Sequence, residues 1–223
     1  MLTEPMPVDA VEAARKRFAV AAEDLDANRV AALVRDLAVE AGVAPVWERV
    51  CRPLLGGLRG HSATEIAIEH ALSEGVRIGL DGYRRDRGRP LPPDGVLLAR
   101  AEQETHCLGL HALAAALREQ GRGCLLLGPA LPWAALAAAV VRVRPHTVLV
   151  WSQTPLTGRA YRLVRFGRDF PRVRLFGAGP GWIEPFPPPS VRLTTFVAAL
   201  TACTTPPPVT APAPPRPPAP SPR

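Results

Sequence analysis

The sequence predicts an α segment followed by an α/β segment: an N-terminal four-helix bundle, then a domain built on a parallel sheet. Three observations carry this. Apolar residues recur at intervals of three and four through residues 8–84; a charged stretch rich in Pro and Gly follows; and beyond it short apolar runs of strand type alternate with helical runs. At 223 residues, with 47% hydrophobic content, the chain can bury a core in each part.

Residues 1–7 read as a short extension. In the helical part, Asp24 to Asn28 form a turn, "AGVAP" stops the second helix near Gly42, and "GGLRGHS" separates the third helix from the fourth. The fourth, "SATEIAIEHALSEGVRIGL", opens with Ser62 and carries Glu65 three positions on, the spacing of a capping box. It ends after Tyr83. Residues 85–94 read as an interdomain linker. In the sheet domain, 95–203, strands are expected at "GVLLARA", "GCLLLG", "TVLVWS" and "VRLFG", with helices between them and "TTFVAALTAC" closing the fold. Residues 204–223 are too rich in proline to fold and read as a disordered tail.

The net charge of +7 comes almost wholly from arginine, Lys16 being the only lysine, and no continuous basic stripe interleaved with aromatics occurs, so direct nucleic-acid binding is not expected. Cys51, Cys107, Cys124 and Cys203 show neither CxxC nor metal-finger spacing, which fits reduced thiols in a cytoplasmic protein. The acidic residues near the start speak against a secretory signal, so none is expected, and no apolar run has membrane-spanning length.

The chemistry concentrates at strand ends. His106 stands in the loop after the first strand, with Glu104 two residues before it and Gly109 three after. In an open parallel sheet ligands bind outside the carboxyl ends of the strands. An imidazole there offers one nitrogen to a metal when a carboxylate holds the other, and Glu104 is placed to do so. After the third strand, "WSQT" supplies Ser152 and Thr154; after the fourth, "FGAGPGW" supplies Gly177, Gly179 and Gly181.

Taken together, E-x-H-x-x-G, S-x-T and the Gly-rich turn resemble the motifs of cobalamin-binding Rossmann-like (flavodoxin-like) domains, whose signature begins with Asp where Glu104 stands. The resemblance implies cobalamin as cofactor and His106 as the metal ligand below cobalt, replacing the vitamin's own benzimidazole. It also implies Ser152 and Thr154 on the displaced nucleotide arm, with Gly109, Gly177 and Gly179 leaving room for it. Glutamate in the motif and the preceding bundle resemble the light-sensing, adenosylcobalamin-dependent MerR-type regulators. "VWERVCRPLL" and "IAIEHALSEGVR" carry that likeness.

In that subgroup a Glu-His pair and an earlier tryptophan cover the upper face of cobalt. Glu69 and His70 match the pair, whereas Arg59 and Gly60 stand where the tryptophan is expected. Trp47 reads as a packing residue, and His61 is a further upper-face candidate. The regulators carry a DNA-binding winged helix ahead of the bundle, where seven residues precede Val8 here. The expected function is therefore a cobalamin-binding sensory protein, light-responsive if the resemblance extends that far, acting through a separate DNA-binding regulator or as a homo-oligomer. The alternative is a corrinoid carrier of a methyltransferase system, and a third class is a cofactor-free interaction module.

Overall fold

The computed structural model describes residues 6–58, 60–84, 92–188 and 190–206. Arg59, most of the expected linker and most of the Pro-rich tail lie outside them. Helix α1 (Val8–Glu23) is followed by α2 (Ala27–Ala41), whose cap Asp26 accepts the Arg29 amide at 2.8 Å. Gly42, at φ +85°, turns the chain into α3 (Val43–Val46), which continues through a π-helical turn (Trp47–Cys51) into α4 (Arg52–Gly57). α5 (Ala63–Gly82) opens as expected: Ser62 Oγ accepts the Glu65 amide at 3.1 Å, and the Glu65 carboxylate reaches back to the amide of His61 at 2.6 Å.

These helices enclose Phe18, Val30, Val34, Trp47, Val50 and Val76, so Trp47 is the packing residue the sequence suggested. α5 lies directly on α2 because of two glycines. A Cβ on Gly75 would come within 2.6 Å of the Ala27 carbonyl oxygen, and one on Gly79 within 2.8 Å of that of Ala31.

The sheet contains β1 (Pro93–Arg100), β2 (Gly123–Leu126), β3 (Thr147–Trp151), β4 (Arg174–Ala178) and β5 (Val191–Leu193), all parallel, in the order β2-β1-β3-β4-β5. β1 starts at Pro93, two residues inside the expected linker, because Pro93 already pairs with Gly123. β5 was not expected: it has three residues and follows a proline-rich run that masks the strand pattern. Helices α6 (Leu108–Glu119) and α9 (Phe196–Thr204) cover one face of the sheet, and α7 (Trp133–Val143) with α8 (Ala160–Asp169) cover the other.

α6 is buried at every position from Gly109 to Leu117, which explains its run of alanines. Its Leu110, Leu113 and Leu117 face the sheet, while Ala112, Ala115 and Ala116 belong to the helical core. Polar contacts complete that junction. Arg118 donates to the Leu80 carbonyl, Glu119 accepts from the Val43 amide (3.2 Å) and the Tyr83 hydroxyl (2.9 Å), and His111 Nδ1 lies 2.7 Å from Asp81 Oδ1. Burial alone would lower the His111 pKa, but its bonds to Asp81 and Cys107 more than reverse this and lift it from 6.5 to about 8.

Two outcomes follow. Gly79→Ala gains about 1 kcal/mol of helix propensity, yet the added methyl meets a backbone carbonyl that cannot turn away. A net loss of about 1–2 kcal/mol is expected; a urea midpoint equal to or above wild type would contradict it. The stability contributed by charged His111 is complete below pH 6.5 and fades as pH rises through about 8. Denaturation midpoints should therefore fall between those values in the wild type, and less so in Asp81→Asn.

Candidate functional site

β1 and β3 are adjacent, and their connections leave on opposite sides, α6 to one face and α8 to the other, so a crevice opens at their carboxyl ends. The loop from β1 to α6 carries Glu104 and His106 into that crevice. Gln103 takes a left-handed conformation (φ +65°), and the Glu104 backbone is tied down by bonds to Ala101 and Ala130.

Glu104 is only 1% exposed, and all four of its acceptor positions are used. Oε1 accepts from the His106 amide at 2.9 Å and from His106 Nδ1 at 2.6 Å. Oε2 accepts from the Gln153 amide at 2.8 Å and the Thr157 hydroxyl at 2.5 Å. Burial pushes the carboxyl upward, but the bonds from Thr157, the two amides and the imidazole outweigh it and bring the pKa down to about 2. The carboxylate is therefore ionised, and the proton of the neutral imidazole sits on Nδ1. The Nε2 lone pair is left facing outward on a side chain that is 58% exposed, with no hydrogen-bond partner among the described residues. The extra methylene of glutamate, relative to the aspartate of the resembling motif, does not loosen the grip on the ring.

Behind Glu104, Ser152 is fully buried; its hydroxyl donates to the Thr154 carbonyl (3.0 Å) and lies 2.7 Å from Thr157 Oγ1. Thr154 enters through its backbone, and its own hydroxyl lies 3.5 Å from Thr157 Oγ1. Thr157 was not anticipated. It is the third hydroxyl in "SQTPLT", and only the loop geometry shows that it, and not Thr154, reaches the carboxylate.

The glycines are used for close approach. A Cβ on Gly181 would lie 2.3 Å from Ser152 Oγ, and one on Gly179 (φ +100°) 2.2 Å from the Ser152 carbonyl oxygen, so the loops after β3 and β4 meet backbone to backbone. The space beside Gly177 is taken by the Phe186 ring, and that beside Gly109 by the Trp151 indole, at 2.6 Å from a Cβ built there. Arg100, paired with Trp151 across β1 and β3, is buried, its Nε without a partner among the described residues, and desolvation lowers its pKa.

Glu69, His70 and His61 are not joined to this cluster by any hydrogen bond; His61 and His70 are exposed and Glu69 is half-buried. Among the described residues no group of three or more His, Cys, Asp or Glu side chains could hold a metal, all four cysteines are free, and no helix is long and apolar enough to cross a membrane.

No family model matches the sequence, and no curated protein matches it. Solved structures do match. The monomethylamine corrinoid protein of Methanosarcina barkeri aligns with a TM-score of 0.60 at 13% identity, covering 86% of this chain and 97% of that one. A cobalamin-binding protein of Desulfitobacterium hafniense DCB-2 gives 0.43 at 16% identity over 88% and 98% of the two chains. The methanol:cobalamin methyltransferase complex MtaBC of Methanosarcina barkeri gives 0.37 at 16% identity over 81% and 72%. The first of these shows a shared fold, helical region and parallel sheet together.

Thr157→Val removes one of the two donors to Glu104 Oε2. The carboxyl should then titrate at least about one unit higher, so that acid unfolding sets in at higher pH than in the wild type, whose Glu104 stabilisation is complete above 4.5 and lost only toward about 2. A carboxyl carbon NMR titration of the two proteins reads the difference directly.

Proposed function

We propose that this chain binds a corrinoid through His106 and acts as a corrinoid carrier, presenting the cobalt to a partner methyltransferase subunit. The observation that carries the reading is the Glu104–His106 pair: an ionised, fully bonded carboxylate fixes the imidazole tautomer and leaves Nε2 free at the carboxyl end of β1. The fold shared with a corrinoid protein supports it.

A bound corrinoid would supply a cobalt able to take up and release an upper ligand such as a methyl group. The chain's own part is positional. Glu104 orients the ring and raises the electron-donating power of Nε2. The Ser152–Thr157–Glu104–His106 chain of hydrogen bonds ties the imidazole to the loop after β3 and so holds its orientation. Helix α6 anchors the helical region directly behind the site.

The sensory reading is the second one. It asks Glu69, His70 and His61 to converge over an adenosyl group, with a DNA-binding protein as partner. The exposure of His61 and His70 suits the carrier better, since a carrier needs an approachable upper face.

The test is gel filtration after incubation with hydroxocobalamin and, separately, with cobinamide, a corrinoid lacking the nucleotide arm. At least one coloured complex should form. In the cob(II)inamide complex, electron paramagnetic resonance should show the three-line splitting of one nitrogen ligand, absent in His106→Ala. A colourless protein after both corrinoids, or splitting unchanged in the variant, overturns the reading.

A further inference from the structure

From the proposal that His106 ligates a corrinoid, we infer that Trp151 determines which corrinoid is accepted: its indole occupies the place of the displaced nucleotide base, so the chain selects a corrinoid without that base.

Trp151 is the last residue of β3, on the face covered by α6 and α9. Its six-membered ring lies against Gly109 in the first turn of α6, with three ring carbons between 2.6 and 2.9 Å from a Cβ built on that glycine. Its Cδ2 lies 3.1 Å from one built on Gly179 after β4. The indole thus bridges two of the glycines that would leave room for a nucleotide arm. An indole and a benzimidazole are both fused five-and-six-membered bicycles of nearly equal size, and the space between sheet and helix that holds one is full.

A second observation points the same way. Ser152, the side chain expected to satisfy a polar atom of the arm, is already paired with the Thr154 carbonyl and Thr157 Oγ1, and Gly181 closes directly over its hydroxyl. The Trp151 Nε1 is buried with no hydrogen-bond partner among the described residues, so shape and not hydrogen bonding holds the ring there. The His106 Nε2, by contrast, points to the outside at the mouth of the crevice, away from the indole's contacts with Gly109 and Gly179.

The experiment compares the affinities of the full chain for cobinamide and for hydroxocobalamin, read from the visible spectrum of the corrinoid and from tryptophan fluorescence quenching. Wild type should hold cobinamide at least about tenfold more tightly. Trp151→Ser, which empties the slot, should shift that ratio toward hydroxocobalamin by at least about tenfold. Trp151→Phe, which keeps an aromatic ring in place, gives a smaller shift in the same direction and serves if the serine variant does not fold. Equal affinities in wild type, or a ratio unmoved in a folded variant, overturn the role of Trp151 while leaving corrinoid binding intact. Absence of both complexes in wild type and variants overturns corrinoid binding itself, and this inference with it.

Discussion

A carboxylate taken out of water stays charged only if donors surround it, and Glu104 has four. Two come from its own loop, after β1, and two from the loop after β3. The bonds that keep the charge therefore also join the two strand ends between which the crevice opens. With Glu104 neutral or absent, His106 would lose its fixed tautomer, Thr157 its strongest acceptor, and the loop after β3 its attachment to the loop after β1. The orientation of one imidazole nitrogen is in this sense a property of the sheet order, because only the adjacency of β1 and β3 brings the donors together.

The same loop is the start of α6, which lies between two cores. Leucines on one side seal the sheet and alanines on the other receive the helical region, so the residue pattern of a single helix settles how the two parts meet. Short side chains bring the neighbouring helices near enough for Asp81 to reach His111 and for Glu119 to cap the Val43 amide. His111 in turn stands beside Cys107, one residue from His106, and its hydrogen bond lowers the thiol's pKa even as desolvation opposes it. Junction and site thus share one end of one helix.

Much of this was legible in the sequence, and the failures have physical reasons. Four strands, the helices and the capping box at Ser62 follow from period and capping, which are local. β5 escaped because three residues carry no period and the prolines just before it argue against a strand, although it pairs only at the sheet edge. The Glu104–His106 relation was readable because two residues in one loop can reach each other by spacing alone. Thr157 was not, since its partner lies 53 positions away and the choice among three neighbouring hydroxyls depends on the turn they occupy. Nor did any pattern show that the gaps beside Gly109 and Gly177 are filled by Trp151 and Phe186; a missing side chain signals close approach but does not say by what.

The two glycines of α5 have a mechanical meaning. Where long side chains separate two helices, rotamers give and the pair can slide; where a glycine stands directly against a valine Cβ and a backbone carbonyl, as at Gly75 and Gly79, little between them can give. α2 and α5 therefore behave as a single stiff body. Any displacement of the helical region against the sheet then falls on the alanine face of α6, where the ties from Asp81, Glu119 and Arg118 have to give way first.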